Sequence, residues 1–261
     1  SGYSFITGEA TPALLILAGI FALEGIVQLL LLSWIKGALL KSNPITKPMR
    51  LSGILLLAFG ATGNIFAIVS GFILIKKTRT LEYTMTVYAA ITTFVVILVS
   101  ALNLFKEYVA NQFMLGMTVL VILMMFYLLA IVLIHLWERD GKVDKKLLPI
   151  GVLLIVSAIS GNAFALLAGM LIISHYRHQG QDRSIEWIDI WERLFRNNMA
   201  VVGMLVVVFL LSLSISSVLT FDYGIAIDNN YSAILQPISL EYPFGTDNYG
   251  RCVFTRIIFG A

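Results

Sequence analysis

Residues 113–136 read FMLGMTVLVILMMFYLLAIVLIHL, twenty-four positions without an Asp, Glu, Lys or Arg. A helix rises about 1.5 Å per residue and the hydrocarbon core of a bilayer is about 30 Å thick, so roughly 20 apolar residues are enough to cross it. This stretch meets that length with no charge to desolvate. Five others resemble it, at 11–34, 51–75, 83–104, 147–174 and 199–221, and the charges collect in the intervals. The spacing predicts an all-α integral membrane protein of about six transmembrane helices. Backbone groups left unpaired in lipid cost several kcal/mol each, which favours helices, and the short alternating segments of a barrel are missing from the sequence.

Composition agrees. Across 261 residues, 59% are hydrophobic and 13% charged, and mean hydropathy is +0.90. A soluble domain of this size would need a larger charged shell. The net charge of +3 comes from scattered Lys and Arg, which fits membrane flanks and does not call for nucleic acid. The one cysteine, Cys252, excludes an intrachain disulfide and a thiolate metal cluster. The chain opens on Ser1 with no basic, apolar and small-residue succession, so it does not read as a signal peptide and suggests a trimmed terminus or a fragment.

Several spans carry membrane punctuation. Trp34, Tyr83 and Trp137 sit at span ends, where amphipathic rings prefer the headgroup level. Gly19, Gly25, Gly60, Gly63 and Gly71 read as packing surface. An internal repeat is visible as well. GILLLAFGATGNIFAIVSGFILI (53–75) matches GVLLIVSAISGNAFALLAGMLII (151–173) at nine of 23 positions, including Gly63-Asn64 with Gly161-Asn162, Phe66 with Phe164 and Gly71 with Gly169. If every span crosses, the two copies run in opposite directions, as inverted transporter repeats do.

Residues 175–198 form the longest polar interval. From Ser184 onward Ile185, Ile188, Trp191 and Phe195 recur at helical spacing, which predicts a cytoplasmic interfacial helix over 179–198 leading into the sixth span. With that interval inside and every span crossing, nine Lys and Arg fall on the cytoplasmic side and seven outside, a slight positive-inside bias.

Candidate polar residues inside the spans are few. Glu24 lies in mid-span, and two readings stay open: a proton or cation site, or a protonated acid bonded to a neighbouring helix. Asn64 and Asn162 hold equivalent places in the repeat and favour interhelical hydrogen bonding over a substrate path. No catalytic motif, metal set or cofactor site is legible. His135 and His175 read as interfacial rings, and Glu138 and Asp140 as a solvated turn.

The last stretch, EYPFGTDNYGRCVFTRIIFGA (241–261), differs in kind. Pro243 fixes the chain, Gly245 and Gly250 permit tight turns, Asp247 can hold a turn, and Val253, Ile257 and Ile258 begin an apolar helical face. Together with RLFRNNMAVVGMLVVVFLLSLSISSVL before it, this stretch resembles the N-terminal part of permease subunits of peptide- and nickel-type ABC importers, over about residues 188–261. There a basic segment, a first span and an external motif of the form P-F-G-T-D-x-x-G-R-D-V-x-S-R occur in that order. Pro243, Phe244, Gly245, Thr246, Asp247, Gly250, Arg251, Val253, Arg256, Gly260 and Ala261 fit the pattern, whereas Cys252 replaces its usual Asp and Thr255 its usual Ser.

The resemblance implies import of peptides or similar solutes across the plasma membrane by alternating access. The implied partners are a second permease subunit, ATP-binding subunits that hydrolyse the nucleotide, and an extracytoplasmic solute-binding protein. Asp247 and Arg251 would be structural, and the helix around Trp187 and Trp191 would brace span six. The resemblance places the chain before the second span of such a core, so it is expected to be a fragment, inert alone. Residues 1–178 form a five-span module that the resemblance does not explain, and a non-transport scaffold or sensor is the alternative.

Overall fold

The computed structural model describes residues 12–41, 46–59, 64–75, 80–106, 110–139, 142–178 and 186–260. Gly60, Gly63, Asp140, Ser184, Ile185 and Ala261 lie outside the described residues, as do the side chains of Phe66 and Trp187. The chain divides into two compact units, up to residue 77 and from residue 78 onward.

In the first unit, helix α1 (Pro12–Lys41) is followed by α2 (Lys47–Ala58) and α3 (Ile65–Ile75). The sequence predicts one continuous span over 51–75. Instead α2 and α3 fold back on each other as a helical hairpin. A Cβ placed on Gly53 would come within 2.9 Å of the Gly71 carbonyl oxygen, and one on Gly71 within 2.9 Å of the Leu57 side chain. Residues far apart along a straight helix are thus in van der Waals contact, and only hydrogen at these two positions permits the approach. Leu56, Ala67 and Leu74 form the seam, with Leu31 and Ile35 of α1 against it.

The second unit begins with α4 (Leu81–Ala101) and its 3-10 extension Leu102–Phe105, then α5 (Phe113–Trp137). A two-residue antiparallel ladder, Glu138–Arg139 with Lys142–Val143, leads to α6 (Leu148–Ser157) and α7 (Ala163–Arg177). The predicted span over 147–174 is likewise a hairpin. The carbonyl of Gly151 lies against Gly169, and Gly161 turns the chain at φ +82°. The glycine pair 53/71 and the pair 151/169 occupy equivalent positions in the repeat, so the two copies fold by the same close approach. Pro149 at the start of α6 and Asn162 at the start of α7 mark its boundaries.

Among the described residues, four helical segments are long and apolar enough to cross a bilayer: Gly19–Gly37, Leu81–Phe105, Phe113–Trp137 and Met199–Thr220. The chain is therefore an all-α integral membrane protein, with four long helices and two hairpins where six spans were expected. Helix α4 is the hub of the second unit. Tyr83, Met85, Val87, Ala89 and Ala90 are buried on it, against α5, α7 and α9 (Asn198–Thr220).

Local expectations also shift. Tyr83, expected at the headgroup level, is 1% exposed, because α4 is covered by its neighbours along that end. Glu138, expected in a solvated turn, is buried and accepts a hydrogen bond from Thr80 at 2.8 Å. His175, expected to reach water, is partly exposed but pairs with the buried Glu82. Gly19 and Gly25 have open space around them among the described residues and make no close helix contact there.

Candidate functional site

Helix α8 (Glu186–Arg196) carries the strong amphipathic pattern seen in the sequence. Ile188 is buried, and Phe195 stacks on Tyr88 of α4 at 5.7 Å between ring centroids, with Phe164 of α7 and Trp191 beside it. The polar interval thus leans on the helices before it. Asn197 then caps α9 by accepting the Met199 N–H at 3.0 Å.

Helix α9 ends at Thr220, and residues 221–260 build a compact segment at that end. Two of its turns are held by its own side chains and a third by a glycine. Asp222 accepts the Gly224 N–H at 2.8 Å, ahead of the short helix α10 (Gly224–Ile227). Thr246 accepts the Gln236 N–H at 2.7 Å and donates to the Ala233 carbonyl. Gly250, at φ +74°, lets the chain pass against the Asn230 carbonyl, where no Cβ would fit.

Asp247 is the organising residue. Its Oδ1 accepts the N–H groups of Tyr249 (2.9 Å) and Arg251 (3.0 Å). Its Oδ2 accepts from Arg251 Nε (2.8 Å) and Arg256 Nη1 (2.6 Å). Partial burial pushes its pKa up, but the Arg251 and Tyr249 N–H groups and the Arg251 guanidinium outweigh this and hold the carboxyl well below its ordinary range, at about 2. The Arg251 guanidinium also lies 4.7 Å from the Tyr249 ring centre. Gly245, at φ +70°, is clasped between Tyr242 and Val253 by backbone hydrogen bonds. Phe244 packs its ring against Phe254 of α11 (Val253–Gly260), while Pro243 is half-buried. Of the motif residues singled out from sequence, Arg251 and Arg256 meet the Asp247 carboxylate, while Gly245, Thr246 and Gly250 hold turns beside it and Phe244 packs on Phe254.

Other contacts were not legible beforehand. Along one face at the end of α4, Ser100, Asn103 and Lys106 recur every three residues. Ser100 Oγ lies 3.4 Å from Thr220 Oγ1, Asn103 donates to the Thr220 carbonyl at 2.6 Å, and Lys106 Nζ donates to Thr255 Oγ1 at 2.6 Å. All five residues are buried. The ammonium of Lys106 also faces the Phe221 ring at 5.4 Å. Burial pushes the Lys106 pKa down, against the opposing influence of Cys252, Asp222 and Glu241. A cavity of about 280 Å³ opens beside it, with Asp222, Asp228 and Glu241 on its wall. Cys252, in place of the family's Asp, is buried in an apolar cluster with Val96, Leu120, Leu213 and Phe221, where a carboxylate would be costly. The segment preceding the family-like region is thus packed into it at both ends of α4.

The remaining candidates are separate from this site. Glu24, 4% exposed, accepts a hydrogen bond from Gln28 one turn later at 3.1 Å. Asn64 accepts the Ala67 N–H at 3.1 Å and so caps its own helix. Asn162 instead reaches α4, donating to the Ala89 carbonyl at 2.9 Å and to Thr93 at 3.2 Å. Among the described residues no group of three or more His, Cys, Asp or Glu could hold a metal ion.

Comparison with known proteins places the resemblance on this same region. Residues 186–237 match the family described as the N-terminal TM domain of oligopeptide transport permease C. The dipeptide transport system permease protein DppC of Alkalihalophilus pseudofirmus is 36% identical over 75 residues, which is 29% of this chain and 24% of that protein. The chain thus spans about a quarter of the length of that relative. No solved structure matches.

Proposed function

We propose that the chain is the N-terminal part of a permease subunit of an ABC importer for peptides or similar solutes. In this reading α9 is the first span of the permease core, α8 is its cytoplasmic lead-in, and 221–260 is the external link to the next span. The observation that carries it is the coincidence of two independent features. The family match ends at residue 237, and immediately beyond it 243–256 close into an ordered motif around Asp247.

Such a subunit provides a path and no hydrolytic chemistry of its own. ATP hydrolysis belongs to partner ATP-binding subunits, a second permease subunit completes the path, and an extracytoplasmic binding protein delivers the solute. The plasma membrane is the location this requires. Helix α4 and its 3-10 extension act as a brace, because they hold the end of α9 through Asn103 and the external motif through Lys106.

The test is uptake. Disruption of the gene in its own host should reduce accumulation of labelled di- and oligopeptides at least tenfold, and a plasmid copy should restore it. Unchanged uptake of both peptide classes would count against the reading.

A further inference from the structure

We infer that the second repeat is a re-entrant hairpin that enters and leaves the bilayer on one face, the cytoplasmic one, and that this face meets the anionic headgroup layer with most of the positive charge of the second unit. At about 1.5 Å per residue, the ten residues of α6 rise about 15 Å, half of the hydrocarbon thickness. The ends of the hairpin meet the same end of α4. Glu138, just before the hairpin, bonds to Thr80, and His175, near its close, pairs with Glu82. Its turn meets α4 far from that end, at Ala89 and Thr93. Thr93 lies twelve residues into α4, or about 18 Å along it, close to the middle of the bilayer.

Non-helical backbone at that depth is tolerated only inside protein or beside a cavity. Here the turn is half-covered by its neighbours and its polar groups are bonded within the protein. The Gly161 N–H bonds to Ala158 and the Ser160 hydroxyl to Ser157, while Tyr127 of α5 donates to Ser157 at 3.1 Å. An apolar cavity of about 370 Å³ lies against the turn, between α5 and α9.

The second unit then passes α4 outward, α5 inward, hairpin, α9 outward.

Charge supports this path strongly. Among the described residues of the second unit, Arg139, Lys142, Lys145, Lys146, Arg177, Arg193 and Arg196 fall on the hairpin face and Lys106, Arg251 and Arg256 on the other. The positive-inside rule therefore identifies the hairpin face as cytoplasmic. Anionic headgroups of that leaflet are the partner its Lys and Arg fit. Asp222, Asp228, Glu241 and Asp247 lie on the opposite side with the external motif.

Single cysteines in the full chain, with Cys252→Ala as background, test the path by labelling with a membrane-impermeant maleimide. K145C and H178C should stay unlabelled in intact cells and react after lysis. N229C should react in intact cells. Opposite accessibility of K145C and H178C would overturn the hairpin. Uniform reversal of all three would overturn the cytoplasmic assignment. Neither outcome depends on whether the chain serves a transporter, so failure here is distinct from failure of the uptake test.

Discussion

Replacing Asp247 should loosen the external motif in two measurable steps. Asp247→Asn keeps an oxygen for the Tyr249 and Arg251 N–H groups but removes the charge that Arg251 and Arg256 address. The side chain of Arg251 is 23% exposed and that of Arg256 46%, so solvent screens both pairs. Together they are worth about 1–2 kcal/mol. Asp247→Ala also leaves two backbone N–H groups unbonded, at about 1 kcal/mol each, for a total of about 3–4 kcal/mol. Amide hydrogen exchange of 245–252, measured on the full chain in nanodiscs, reads this as local opening. The expected acceleration is about tenfold for Asn and several hundredfold for Ala, since 1.4 kcal/mol is a factor of ten. Equal effects of Asn and Ala, or less than threefold for Ala, would refute the account of Asp247 as the hub. The pH dependence follows from the same carboxyl. Its folded pKa of about 2 lies below the ordinary 3.8, so its contribution is complete above about pH 4 and is lost as pH falls through about 2. Protection, corrected for intrinsic exchange, should hold from pH 7 to about 4 and decline below.

Three further outcomes are expected. Thr255→Val leaves the buried Lys106 ammonium without its hydroxyl and should destabilise the chain by about 2–3 kcal/mol in detergent unfolding, whereas Lys106→Met with Thr255→Val should recover at least half of that loss. Gly169→Leu should block closure of the second hairpin and lower yield of folded protein severely, while Gly203→Leu, which has open space around it, should be silent in the same size-exclusion assay. Asn162→Ala should cost about 1–2 kcal/mol by releasing the hairpin turn from α4, seen as faster exchange at 158–166.

These predictions rest unevenly on what the sequence alone could tell. Hydropathy and length are local quantities, so the membrane class and the four long helices were legible, as were the turns at Gly245 and Gly250. Fold-back is not local. The stretches 53–75 and 151–173 are apolar throughout, and nothing in their composition separates one long helix from two short ones. The signal was present only in the pairing of glycines eighteen residues apart, repeated in both copies. The contacts of α4 were hidden for a related reason. Lys106 reads as a flanking charge, and its partner Thr255 is 149 residues away. Ser100, Asn103 and Lys106 at three-residue intervals hinted at one polar face, without saying what faced it. Cys252 was legible as a departure from the family pattern, and its apolar surroundings supply the reason.

The central claim is that α9 and the motif after it belong to the core of an importer permease. Affinity purification of the tagged full-length gene product from its host membrane, in mild detergent, tests it most directly. The account predicts stoichiometric recovery of an ATP-binding subunit, with ATPase activity in the eluate that rises when peptide and its binding protein are added. Recovery of the intact membrane protein with no ATP-binding subunit, at yields where a known importer retains its own, would contradict it.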